Sequence, residues 1–592
     1  MSAAVKPTIA DVSRIVGACG LDIEPDNLFS LIQGYDSRLD TLESSSGVSL
    51  PYVDLRFAPY SVTPGDPSKA ASNRTGIAAA IAANPSGAHL VLPSGDIYLD
   101  WNTTTTNRSA ILFAGVSRFW LQGQGMFTTK LIIEGTQNLA ERRGICIANG
   151  SSKIYISDLW VQHGTVVGPE EHNHLINIGI AGQTSGVTDI VVRNVYCGQS
   201  VGDGINIQGE AGAVTDTVII TNVIVRSQGI VGSSRDCVGF QRGIANVELG
   251  NFYLEGCKNS CIDFEPTGNA SIVNINIHDG VCNQALSNSQ VSVSVGGNAV
   301  SASTKLVRGK VHNLTVNEGQ FQIFDCTDLE ISNLTVYAAG ASGPMAGTGL
   351  PLIYLYGDVA STSFVNTHAT RDTGGIGAGE VLAAIHHVGR GNPRQVSFTD
   401  TLIVQNTSFT PVRFENTDGL TVNNMLINFG GTVTGNSGIS VNANAVSMNS
   451  NQFNDVRLTV ATGKMPQMFN LGTNAFNLLN ITITNCSAPN AVTTGILMTE
   501  VAGGLVDKAP IIMGCDFTGG TWLAASSGPL LASIYPVIGG NKGGPRVIWG
   551  SGTPEAVVTG IVGDQFIRSD GGATTTLYVK TSGTGNTGWT GK

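Results

Sequence analysis

The chain is expected to be all-β, wound as a parallel β-helix in which a strand is the repeating element. Three observations predict this. First, Ile205-Asn206-Ile207-Gln208, Val238-Gly239-Phe240-Gln241 and Ile262-Asp263-Phe264-Glu265 align under one another, each alternating two apolar residues with two others. Period-two alternation marks a strand with one buried face. The block recurs at steps of 33 and 24, and Ile176-Asn177-Ile178-Gly179 and Ile145-Cys146-Ile147-Ala148 extend it upstream by 29 and 31. Repeats of that length mean a solenoid or an array. Second, Val218-x-Ile220-x-Asn222-Val223 has echoes ending at Asn194, Asn251 and Asn333. Asn at a fixed place between two strands suits a bend, because it tolerates the left-handed conformation, and stacked amides can bond each other. Third, charged residues are only 13%, Gly numbers 75, and helical periodicity is nearly absent. The segments are Ile, Val and Asn rather than the dense leucines of a leucine-rich repeat. With 42% hydrophobic residues the chain is not disordered.

Taken in order, residues 1–50 stand apart. Leu28, Ile32, Tyr35, Leu39 and Leu42 are spaced 4, 3, 4 and 3, a heptad seam. Two heptads are too short to stand alone. The segment is either a helical neck of an oligomer or a helix packed on its own domain. Residues 51–130 are expected to start and cap the solenoid. There Ile77–Ala83 is a short helix, and Leu90–Leu99 reads as strand, Pro-Ser-Gly turn and strand. Residues 131–500 carry the repeats, with 338–376 expected as a loop excursion. Residues 501–548 are a connecting region, and 549–592 a small β module of short strands joined by Gly turns.

Three stretches resemble known proteins. The helix core Ile77-Ala78-Ala79-Ala80-Ile81 followed by Val91-Leu92-Pro93-Ser94-Gly95 resembles the start of pectate-lyase-superfamily right-handed β-helices, a form common in bacteriophage tailspikes. The C-terminus is similar to a terminal module of phage tail fibres and tailspikes. Its landmarks are Gly563-Asp564-Gln565-Phe566-Ile567-Arg568, Asp570-Gly571-Gly572, Leu577-Tyr578-Val579-Lys580 and Gly588-Trp589. The stretch Ile262-Asp263-Phe264-Glu265-Pro266 also resembles one recurrent in tailspike β-helices. These resemblances imply a phage tailspike or tail fibre on the virion tail, made in the host cytoplasm and acting at the host surface. They also imply a homotrimer, attachment to tail or baseplate proteins through the N-terminus, and a host surface polysaccharide as ligand. Forty C-terminal residues bury too little to fold alone, which also points to a trimer.

The repeat alignment stacks polar residues as well. Two positions before the first apolar residue come Arg143, His174, Asp203, Asp236 and Ser260. Neighbouring rungs lie about 4.8 Å apart, so Asp203 should face Asp236, with His174 on its other side. A second column is Asn206, Gly239 and Asp263, and a third is Gln208, Gln241 and Glu265. Paired carboxylates are what glycoside hydrolysis needs, one as proton donor and one as nucleophile or base. Asp203, Asp236, Asp263 and Glu265 are therefore the candidate catalytic residues, and Asp203, Asp236 and Glu265 are expected as an exposed acidic cluster within roughly 10 Å. His174, Arg143, Arg235 and Arg242 are the candidate substrate-binding groups, and a lyase would use such a base and cations. The plainer alternative is that stacked Asp side chains only bond turn amides. Hydrolysis is the favoured chemistry, lyase the second, and binding without catalysis the third.

The net charge of −11 argues against a nucleic-acid partner. No membrane-spanning run is present, so no membrane insertion is expected. No cofactor or metal is expected. Cys146, Cys237, Cys261 and Cys282 fall in or beside strands and read as reduced core thiols. Trp101, Trp120, Trp160 and Trp522 are either sugar-stacking platforms or packing residues.

Overall fold

The computed structural model describes residues 50–101, 108–134, 142–164, 172–226, 235–265, 271–283, 291–296, 306–338, 351–357, 359–371, 385–389, 395–405, 410–430, 437–443, 447–474, 477–501, 510–525, 537–541 and 544–592. The heptad seam of 1–50 lies outside them. The chain winds as a parallel β-solenoid. Each coil contributes one short strand and one long strand, and every pairing between coils is parallel. The short strands begin at Arg108–Ala114 and end at Thr521–Ala525, forming a sheet of 15 strands among the described residues. Ile145, Ile176, Ile205, Val238 and Ile262 stand in register on consecutive strands, as the repeat alignment requires.

The long strands explain why Asn recurs. Thr215–Arg226 is bent at Asn222, whose φ is 51°, and its neighbours bend at Asn194 (52°) and Asn251 (51°). Residues on either side pair across coils, but the bend residue itself does not, since Thr221 pairs with Arg193 and Val223 with Val195. The column of left-handed residues runs from Asp158 through Asn194, Asn222, Asn251, Asp279, Asn313, Asn333, Asn366, Asp400 and Asn424 to Asp455, all Asn or Asp. These two residue types visit the left-handed region most easily after Gly. Parts of the column are linked by side-chain amides, such as Asn333 Nδ2 donating to Asn313 Oδ1 at 2.7 Å and Asn366 Nδ2 to Asn333 Oδ1 at 2.7 Å. The bend turns one strand into two flat faces, and with the short strand these enclose the core. Ile205, Ile207, Val218, Ile220, Val223 and Val225 all point inward and are buried. Like residues stack between coils, as Phe240 on Phe264, with ring centroids 4.5 Å apart.

A solenoid end exposes an unpaired core and needs a cap. Helix α1 (Ala70–Ala83) packs against the first coils, burying Ile77, Ala80 and Ile81. It starts seven residues before the expected Ile77, because Asn73 already caps the structure from within the helix. Its Nδ2 donates to Thr63 O (2.9 Å) and Tyr98 O (3.1 Å). Gly76 is obligatory here, since a Cβ would lie 2.2 Å from Tyr60 O.

Three expectations need correction. Residues 338–376 are not a loop excursion. They contain the strands Ile353–Gly357 and Thr362–Arg371, which continue both sheets through Ile353↔Ile385 and Ala369↔Ile403. The small inward residue Ala369 and the surrounding Gly, Ala and Thr hid the alternation. Parallel pairing also runs past residue 500, through Ile511–Met513 and Val537–Gly539. Finally, Cys237 is not a reduced thiol. It is bonded to Cys257, with Cα atoms 5.8 Å apart, while Cys146, Cys261 and Cys282 are buried thiols. The two partners sit at the ends of one coil, a proximity set by winding and invisible in their spacing of 20. The C-terminal module is a four-stranded sheet of Val547–Gly550, Gln565–Arg568, Leu577–Lys580 and Trp589–Gly591, with Phe566 and Trp589 buried.

Candidate active site

The five-residue column predicted from the alignment exists. Gly144 N–H donates to His174 O, Leu175 N–H to Asp203 O, Gly204 N–H to Asp236 O and Cys237 N–H to Ser260 O, one rung after another. The side chains use the same ladder. Asp203 N–H donates to His174 Nδ1 (3.2 Å), Asp236 N–H to Asp203 Oδ1 (3.2 Å) and Ser260 N–H to Asp236 Oδ1 (2.8 Å). One oxygen of each aspartate thus holds the next coil's turn, as the plainer alternative anticipated.

The second oxygens are otherwise engaged. Asp236 Oδ2 lies 3.3 Å from Arg235 Nε, and Arg235 Nη2 pairs with Glu265 Oε2. A single guanidinium therefore joins two carboxylates from successive coils. Asp263 stands two residues before Glu265 on the strand Ile262–Glu265, so both side chains leave the same face. Ser294 follows Val293, the partner of Ile262, so it lies beside Asp263 on the next strand.

Exposure departs from expectation. Asp203 and Asp236 are only 1% and 2% exposed, so they are a buried layer rather than an open cluster. Glu265 is 38% exposed at its side chain, and Asp263 is half-buried. Backbone amides and loops close over the first pair because their oxygens are needed by the turns. Burial, followed by the neighbouring carboxylates, pushes Asp236 well above the usual carboxylate range. Burial likewise raises Asp203, to about 8, against the pull of Arg235. Asp263 rises to about 7, chiefly by burial and then by the charge of Glu265.

His174 is buried at the end of this row. Burial and then Arg143 hold it well below its ordinary value, so its ring is neutral. Its 3.2 Å approach to Asp203 Oδ2 is a contact between an uncharged imidazole and a carboxyl that keeps its proton. Arg143, 5% exposed, lies beside it on the previous coil. Arg242 is directed elsewhere, with Nη2 2.7 Å from Glu210 Oε1.

One feature went unnoticed in the sequence. Gly239 sits between Asn206 and Asp263 in the outward column, and side-chain oxygens of the coil before it fill the space a side chain would take. A Cβ would stand 2.8 Å from Asp203 Oδ2 and 3.2 Å from Asn206 Oδ1. Asn206 donates to Asn177 Oδ1 at 2.8 Å, but its own Oδ1 is buried and has no partner. The only available signal was a glycine interrupting a polar column. Of the tryptophans, Trp101 is buried, Trp120 donates to Ser157 Oγ at 2.9 Å, and Trp160 packs with Tyr196 at 4.4 Å.

No protein-family model matches the chain, and no curated protein matches it. Among solved structures, the A-module of mannuronan C-5 epimerase AlgE6 from Azotobacter vinelandii is similar at 12% identity and a TM-score of 0.38, covering 83% of this chain and 99% of that one. The catalytic domain of a GH87 alpha-1,3-glucanase in complex with nigerose has 14% identity and a TM-score of 0.35, covering 83% and 69%. Bacteriophage CBA120 tailspike protein 3 has 11% identity and a TM-score of 0.32, covering 92% and 68%. At these values the fold rests on the strand pairings described above.

Proposed function

We propose that the chain is a phage tailspike or tail fibre protein that recognises and hydrolyses a polysaccharide on the host cell surface, with the Asp263–Glu265 pair at the reacting bond. The observation that carries this reading is a pair of carboxyl groups on one face of a short strand, partly open to solvent and backed by Arg235. Hydrolysis needs one carboxyl protonated and one ionised at the same pH. Asp263, raised to about 7, is the proton donor to the leaving glycosidic oxygen. Glu265, paired with Arg235, is the carboxylate that attacks the sugar or activates water. Asp203 and Asp236 are positioning residues that fix the turns and keep Arg235 in place.

Binding without cleavage is the second reading. It is favoured by the way Asp203 and Asp236 each give an oxygen to a turn amide. One assay separates the readings. Purified protein is incubated with surface polysaccharide from the host, and products are scored for reducing ends and for 4,5-unsaturated sugars. New reducing ends without unsaturation are expected, lost in Asp263→Asn and in Glu265→Gln while glycan binding persists. Unsaturated products would mean a lyase. Binding with no products would mean an adhesin.

A further inference from the structure

A different cluster lies inside the first coils, where three buried hydrogen-bond donors have no acceptor among the described residues. His163 ends the strand Ser152–His163 and takes the inward position that Leu99 and Ile133 hold on the coils before it. A histidine in an apolar column is a departure that packing alone does not demand. Val201 N–H donates to His163 Nδ1 at 3.1 Å, and burial drives the ring down to about 3. The imidazole is therefore neutral with its proton on Nε2, and that Nε2–H is buried and unpartnered. Trp101 packs against it with ring centroids 5.7 Å apart, and Trp101 Nε1–H is also buried and unpartnered. Arg142 completes the group. Its guanidinium carbon is 5.8 Å from the Trp101 ring centroid, and its Nε–H has no acceptor. Trp101 is 5%, Arg142 6% and His163 0% exposed.

The charge makes the case specific. Among the described residues no carboxylate pairs with Arg142, and the side chain facing it across the register is another cation, Arg108. A buried guanidinium without a counter-charge is strongly unfavourable. A water would accept from two of these donors but bring two protons of its own. An anion brings acceptors only and neutralises the charge.

We propose that Trp101, Arg142 and His163 form an anion-binding site, separate from the carboxylate cluster, that takes a small carboxylate or similar oxyanion. The anion is either free in solution or carried by an acidic sugar. Arg142 occupies the same place in its coil as Arg235, three rungs on, as the backbone ladder through Asn173 and Gly202 shows. Rungs about 4.8 Å apart put the two positions roughly 14 Å from each other along one edge of the solenoid.

The test is thermal melting of the full-length protein in a low-salt zwitterionic buffer, titrated with sodium acetate, sodium glucuronate or glucose. Wild type is compared with Arg142→Gln and Trp101→Phe, so that general salt effects cancel. A saturable rise of about 3 °C is expected with the anion in wild type. It should be absent in Arg142→Gln, and the apparent affinity should be about tenfold weaker in Trp101→Phe, which loses one donor. If Arg142→Gln does not fold, Trp101→Phe carries the comparison. Saturation by acetate and glucuronate alike identifies a free-anion site. Saturation by glucuronate alone identifies the carboxylate of a sugar. Equal slopes in all three proteins, or no rise, overturn the proposal. The readout needs no cleavage, so it stands whether or not the Asp263–Glu265 pair is catalytic.

Discussion

At the residue scale, the acidic column turns burial into proton affinity. Asp203 is raised to about 8 in the folded chain from an ordinary value of 3.8, first because it is buried. A group whose folded value is raised binds a proton in the native state that the unfolded state has released. Its contribution to stability is full below about pH 4 and is lost as pH rises towards 8. Asp203→Asn keeps the acceptor for the Asp236 amide but cannot ionise. The stability difference between wild type and Asp203→Asn, measured by urea titration across that range, should therefore shift in favour of the variant as pH rises. A difference independent of pH would show that Asp203 is ionised throughout. Asp263 governs rate in the same direction. If it is the proton donor, kcat/KM for the polysaccharide should decline as pH rises through about 7, the value to which burial and Glu265 lift it. A flat profile through neutrality would exclude Asp263 from that role.

At the scale of the element, the bend decides whether a long strand closes around the core. Asn222 holds φ at 51° in the middle of Thr215–Arg226 and donates to Asn194 Oδ1 at 3.3 Å. Alanine there must occupy a left-handed conformation and drops the amide link. Asn222→Ala should lose about 1–2 kcal/mol in chemical denaturation, whereas Asn222→Gly, free of Cβ strain, should lose less. Equal losses would mean that the side-chain amide, not the backbone, does the stabilising. The inward phenylalanines act differently. Phe240 is fully buried and stacked on Phe264, so Phe240→Ala should cost about 3–5 kcal/mol. It would also disturb the strand that places Gly239 and Gln241 beside Asp263 and Glu265.

At the scale of the whole molecule, coil-by-coil stacking makes each rung depend on its neighbours and the ends depend on caps. Helix α1 supplies one cap. At the other end, the module of 547–592 carries Val557 and Val562 exposed at 74% and 55%. Together with the heptad spacing of Leu28 to Leu42, this leads us to expect a homotrimer. Light scattering in native buffer checks it, and a species at the 61.5 kDa of one chain would refute it. Deleting 549–592 should impair assembly more than the β signature in circular dichroism. A truncated chain that stays trimeric would give the module another task, such as receptor binding.

The sequence alone determined the winding, because period-two alternation and a repeat of 24 to 33 residues leave few ways to bury a common face. It also determined the stacking of Asp203 on Asp236 and of Glu265 one coil on, since register follows from aligning the apolar pairs. It located the bends at Asn, where backbone conformation is a local property of residue type. It missed the strands within 338–376, which stand among stretches rich in Gly, Ala and Thr that interrupt the repeat. What only the tertiary structure decided is which polar groups are covered and which meet across coils. The closure over Asp203 and Asp236, the Arg235 bridge, the diversion of Arg242 to Glu210, the Cys237–Cys257 bond and the meeting of Trp101, Arg142 and His163 all depend on loop paths and side-chain reach. Those are set by packing between residues far apart in the chain, and no periodicity records them.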